Sequence, residues 1–205
     1  MCKKISNWFH RVSKGWVVLL TLLIFLLFTA LVLPAQSSKA DLYARSAGSP
    51  DTSVFYTPDD LYKMAEAYGD TGRADYITAR FTFDLIWPLV YTVFLVAGIS
   101  RLCQKVFPRD SKWQQLNLVP IMGALFDYLE NISASLVMGR FPGRTPVVDT
   151  LAPVFTMVKW ILVGGSFVLL MVCAGIAGWR WILAGRRTKL KSASLDKPSN
   201  DQSAR

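Results

Sequence analysis

NLVPIMGALFDYLENISASLV, residues 117–137, is apolar enough for lipid except in its middle, where Asp127, Glu130 and Asn131 interrupt it. Positions three and four apart stack on one helix face, so these three polar groups share a stripe. Two carboxyls and an amide at membrane depth are costly without a partner, a water-filled cavity or a proton. Whether this stretch is a span or an unusual soluble helix depends on its neighbours.

Those neighbours read as membrane. The 205 residues are 52% hydrophobic, with a mean hydropathy of +0.32, above the range of ordinary soluble domains. A helix needs about 20 apolar residues to cross a bilayer. Four segments qualify: 15–35, with no charge; 81–100, with Asp84 near its start; 117–137; and 151–184, with Lys159 inside. The expected fold is all-α, a polytopic four-transmembrane-helix bundle. Residues 15–35 follow a basic start (Lys3, Lys4, Arg11, Lys14), as a signal peptide would. The apolar core outlasts the usual ~7–15 residues, and Leu33 stands where a cleavage site wants a small side chain, so an uncleaved helix is expected.

Charge sets the orientation. Lys and Arg crowd residues 1–14, the loop 101–116 and the tail 185–205, whereas Asp dominates the loop 36–80. The positive-inside rule places both termini and residues 101–116 in the cytoplasm, with 36–80 and 138–150 outside a prokaryotic inner membrane. Basic anchors beside anionic headgroups account for the net charge of +9, so no nucleic-acid partner is expected. Cys2, Cys103 and Cys173 fall inside or within the membrane, and no disulfide is expected. They lack metal-ligand spacing and His10 stands isolated, so neither a metal nor a cofactor is expected.

Local signals organise the loops. Residues 1–14 suit a short interfacial lead-in, and 36–54 read as a polar loop. Thr57 as N-cap, Pro58 at the first helical position and Asp59 and Asp60 beside the positive end start a helix. Over about 58–68 it lines up Leu61, Met64, Ala65 and Tyr68, and Gly69-Asp70-Thr71-Gly72 stops it. Such a helix lies over the outer mouth of the bundle or rests on the membrane surface. From Arg73 helix is expected to resume and run into the second span. Gly123, Ser133 and Ala134, and Gly164, Gly165, Ala174, Gly175 and Gly178, suit close helix packing. The tail 185–205 has no apolar periodicity and is expected to be disordered.

Given this orientation, Asp84, Asp127, Glu130, Asn131 and Lys159 converge from three spans in the outer half of the membrane, with Arg80, Arg140 and Arg144 on the same side. Three readings compete. The groups satisfy one another and fix helix register, as in a subunit packed against other membrane subunits. They line an outer-leaflet cavity for a cation, a lipid headgroup or a small amphiphile. Or Asp127 and Glu130 act as a carboxyl pair in an enzyme working on a lipid or isoprenoid. No nucleophile–base pair, phosphate loop or metal motif accompanies them. A binding or accessory role among membrane lipids is the expectation.

Tyr56-Thr57-Pro58, Gly72-Arg73 with Tyr76, Asp84 with Pro88 and Tyr91, and the D-Y-x-E-N motif of Asp127-Tyr128 and Glu130-Asn131 together resemble a group of small, uncharacterised prokaryotic four-helix membrane proteins. The resemblance covers roughly residues 55–175. It implies the four-helix fold and groups these residues, and it implies no activity, substrate or cofactor.

Overall fold

Apolar runs become helices throughout the computed structural model, which describes residues 1–44 and 47–195, and among these no strand forms. The elements are α1 (Cys2–Val12), α2 (Gly15–Leu27), a π-helical turn (Phe28–Val32), α3 (Leu33–Ala44), α4 (Pro58–Arg80), α5 (Phe83–Val106), a 3-10 turn (Lys112–Leu118), α6 (Val119–Arg140) and α7 (Val148–Leu195).

Three helical runs are long and apolar enough to cross a membrane: Gly15–Ser38, Pro58–Val106 and Val148–Gly185. The segment expected to be the third of four spans, now α6, is not among them. Asp127, Glu130 and Asn131, with Tyr128, Ser133 and Ser135, dilute its apolar content. Nevertheless α6 packs against α4, α5 and α7. Its buried face carries Asp127, Glu130 and Asn131, whereas Met122, Leu125, Ile132 and Leu136 face outward. This is the reverse of a water-soluble amphipathic helix.

Two apolar clusters sandwich the polar residues. One joins Tyr56, Leu61, Met64, Ala65 and Tyr68 to Ala134, Val137 and Met138 of α6 and Ala152 of α7. The other joins Phe94, Leu95, Ile99 and Cys103 of α5 to Val163 and Cys173 of α7. Along α6 and α7 the residues between the clusters are Asp127, Glu130, Thr156 and Lys159. The helix expected at 58–68 therefore packs on one end of the bundle.

Its start follows the sequence signal. Thr57 Oγ1 accepts from the Asp60 backbone N–H at 3.2 Å, and Asp60 Oδ2 accepts from the Thr57 N–H at 3.1 Å, a reciprocal capping box. Hydrogen bonds from Thr57, then from Lys63, hold the Asp60 carboxyl down at about 2. A depressed folded-state value means that this contribution is complete above the ordinary carboxyl range and is lost as pH falls towards 2. Thr57→Ala is expected to cost about 1 kcal/mol, read as faster amide exchange in the first turn of α4 and as an upward shift in the Asp60 titration.

Several expectations need correction. The stop at Gly69 is a kink: φ of 63° and ψ of −179° break the helix there, but it resumes at once and continues to Arg80. Helix also covers the first part of the 36–54 loop, to Ala44, because α3 propagates from the π-helical turn without a new nucleus. Helix α7 likewise carries on through the start of the expected disordered tail to Leu195, a stretch rich in helix-forming Lys, Arg, Ala and Leu. Residues 196–205 of that tail lie outside the described residues. Of the small residues, Gly123 does meet α7, but Gly164, Gly165, Gly175 and Gly178 face open space.

Where α1 meets α5, His10 has hydrogen-bonding neighbours. Its Nδ1 and Nε2 lie 3.0 Å from the carbonyl oxygens of Ser100 and Gln114 respectively. Beside it, fully buried Asn117 donates to Ser6 O and Ser100 Oγ and accepts from Ser6 Oγ at 2.8 Å. These bonds tie α1 to α5 and to the 3-10 turn.

Candidate functional site

The site is assembled where α4 hands over to α5. Arg80 occupies the last turn of α4, Phe81 and Thr82 break the helix, and Asp84 sits in the first turn of α5. The one-turn spacing brings Arg80 Nη1 within 2.7 Å of Asp84 Oδ2. Asp51, from the loop before α4, closes on the same Nη1. Tyr76, one turn before Arg80, donates its hydroxyl to Asp51 Oδ1 at 3.2 Å, and the guanidinium lies 4.6 Å from its ring centre. Arg80 is thus held between two carboxylates and over an aromatic face.

A second set joins α6 to α7. Lys159 Nζ contacts Glu130 directly and lies 3.9 Å from Asp127 Oδ1. Tyr91 of α5 donates to Asp127 Oδ2 at 2.7 Å. Thr156, one turn before Lys159, pairs with the Tyr56 hydroxyl at 3.0 Å. Glu130 is fully enclosed, at 0% exposure, and the Lys159 ammonium is the cation that offsets the cost of a carboxylate there. Its contact with Lys159 lacks hydrogen-bond alignment, and Glu130 Oε1, Asn131 Nδ2 and Ser135 Oγ have no hydrogen-bond partner among the described residues.

Both sets border one cavity of about 400 Å³. Asp51, Arg80, Asp84, Asp127 and Lys159 give its charged groups, Gln36, Ser37, Ser49 and Thr52 add uncharged polar ones, and Phe25, Phe83, Trp87, Tyr91, Trp160 and Phe167 give its aromatic walls. α2 leans on α5, and a stack of Phe25 on Trp87 and Phe94 (5.8 and 4.9 Å between ring centres) fixes that wall. Among the described residues no three His, Cys, Asp or Glu side chains converge to hold a metal ion.

All five residues singled out from the sequence are buried. Asp127, Glu130 and Lys159 do meet. Asp84 belongs instead to the Arg80 set, across the cavity, and Asn131 stays outside both ion-pair sets. Arg144 stays away from the cavity, pairing with exposed Asp59 at 3.3 Å and lying 4.8 Å from the ring centre of Tyr62. Asp51, Arg80, Trp87 and Tyr91 complete the site. The four-residue spacing of Arg80 and Asp84 could have flagged that pair, and Tyr91 lies two turns from Asp84 on the same face. Asp51 carries no local signal, because its role comes from a long-range loop contact.

No family model matches the chain, and neither a curated protein nor a solved structure matches it. The likeness carried by the D-Y-x-E-N motif therefore rests on those short motifs alone.

Proposed function

We propose that the chain is a four-span integral protein of a prokaryotic cytoplasmic membrane, with both termini cytoplasmic, that binds a small amphiphile in an outer-leaflet cavity. The burial of Asp127, Glu130 and Asn131, with Met122, Leu125, Ile132 and Leu136 outward, supports the insertion of α6 as the third of four spans although its hydropathy is low. α2 buries only Thr21, as suits a lipid-facing helix. The observation that carries the binding role is the cavity itself, lined by a few charged and polar groups together with six aromatic side chains. Sites for amphiphiles combine a few placed polar groups with a mostly apolar lining.

Tryptophan quenching tests this. In lipid nanodiscs, single-chain amphiphiles with brominated tails should quench fluorescence saturably, and Trp87→Phe with Trp160→Phe should remove that component. Quenching that rises linearly with concentration and is the same in the variant would be simple bilayer partitioning, and would sink the proposal.

A purely structural role, as in a subunit of a larger membrane complex, draws support from the mutual pairing of every charged group lining the cavity. The quenching experiment separates the two, because a structural network needs no occupant.

A further inference from the structure

We propose that the cavity selects an organic monocation, an ammonium or guanidinium group, carried on a single apolar chain. This rests on the amphiphile-binding reading and adds the sign and size of the head.

Three carboxyls, Asp51, Asp84 and Asp127, line the cavity against two cations, Arg80 and Lys159. Glu130 stands behind Lys159 as a fourth acid. Each cation is already bracketed by two carboxylates: Arg80 by Asp51 and Asp84, Lys159 by Glu130 and Asp127. A phosphate or carboxylate head would have to displace one of them and leave a buried acid unpaired, at high cost. A cationic head meets carboxylate oxygens as it enters. Asp84 is only 7% exposed, lines the cavity, and its Oδ2 has an ion contact with Arg80 but no aligned hydrogen bond. That oxygen has almost no accessible surface, so Asp84 acts on a bound cation through its charge rather than through a hydrogen bond.

Size follows from the spread of the acids. They do not converge on a point as a small inorganic ion requires. A bulkier organic cation spans that spread and meets the aromatic side chains of Trp87, Tyr91 and Trp160, whose rings attract cations through their quadrupoles. The tail has its own place. From Lys159 to Phe167 the wall descends about 12 Å along α7 at 1.5 Å per residue. Phe25 lies 5.8 Å from Phe167 and joins α2 to α7 at that depth. Those two rings touch, so a single slender chain lies along them rather than between them.

The test uses three probes with the same tail, octyltrimethylammonium, octyl phosphate and octyl glucoside, each below its micellar concentration. The full chain is held in nanodiscs, and binding is read by saturable thermal stabilisation and tryptophan fluorescence. The ammonium probe should bind at least about tenfold more tightly than either of the others. Asp51→Asn should weaken it about tenfold and leave octyl glucoside unchanged, whereas Asp59→Asn, on the exposed surface, should change neither. Equal affinity for all three heads, or a preference for the phosphate, overturns the cationic selectivity and leaves the amphiphile cavity standing. No saturable binding of any probe overturns both. Should Asp51→Asn fail to fold, Trp87→Leu gives the second reading: it should weaken the ammonium probe more than the glucoside, and equal weakening counts against a cation.

Discussion

Replacing Lys159 by Met is expected to destabilise the protein by about 3–5 kcal/mol, the usual loss when one partner of a buried ion pair is removed. Lys159 is 7% exposed, and its ammonium is the cation that Glu130 contacts, with Asp127 3.9 Å away on the same helix. Met fills much of the same volume, so the loss reports charge rather than a cavity. Asp127 keeps the Tyr91 hydroxyl as a donor, but Glu130 keeps no comparable partner. The strain therefore falls mainly on Glu130.

That asymmetry makes the double variant informative. Lys159→Met with Glu130→Gln should recover more stability than Lys159→Met with Asp127→Asn, since the first removes the acid that has nothing else. A coupling of about 1–3 kcal/mol is expected for Lys159 with Glu130, measured from unfolding midpoints in detergent. Simple additivity would mean that the pair does not act as a unit. Full recovery in the double variant, with probe binding intact, would show that Lys159 is needed for stability and not for ligand.

Some of this site could be read from residue order and some could not. Helical spacing alone places Asp127, Glu130 and Asn131 on one face, and the alternation of charge between loops brings Lys159 to their depth. Asp84 shares that depth, yet depth does not fix a partner: its neighbour is Arg80, one turn away across a helix break. Asp51 enters from a loop whose path is set by packing against α4, and the sequence has no periodic signal for such a contact. His10 and Asn117 were equally silent, because their bonds join residues about a hundred positions apart. Hydropathy also understated α6, since an average over the helix cannot see that Asp127, Glu130 and Asn131 are buried while Met122, Leu125, Ile132 and Leu136 face outward.

Small residues show the same limit, and Gly123 gives the second large effect. A Cβ at Gly123 would lie 2.8 Å from Val163 Cγ2, 3.5 Å from Val163 N and 3.6 Å from Leu162 Cβ. Alanine there has to displace a methyl of buried Val163, a β-branched residue stiff at χ1, and overpacking of about 1–3 kcal/mol outweighs a helix-propensity gain of about 0.5–1 kcal/mol, so Gly123→Ala should be mildly destabilising. Leucine cannot be absorbed, and α6 and α7 must part. Gly123 precedes Asp127 by one turn, and Lys159 precedes Val163 by one turn, so the wedge opens beside the ion pair. Gly123→Leu should cost about 3 kcal/mol, the upper part of the overpacking range, and should weaken any cavity ligand along with the fold. Gly165→Leu is the matched control, because nothing lies within 4 Å of its Cβ direction. That variant should change unfolding by less than about 0.5 kcal/mol. A loss at Gly165 as large as at Gly123 would mean that another helix or a second copy of the chain covers this face of α7, which the single chain leaves open.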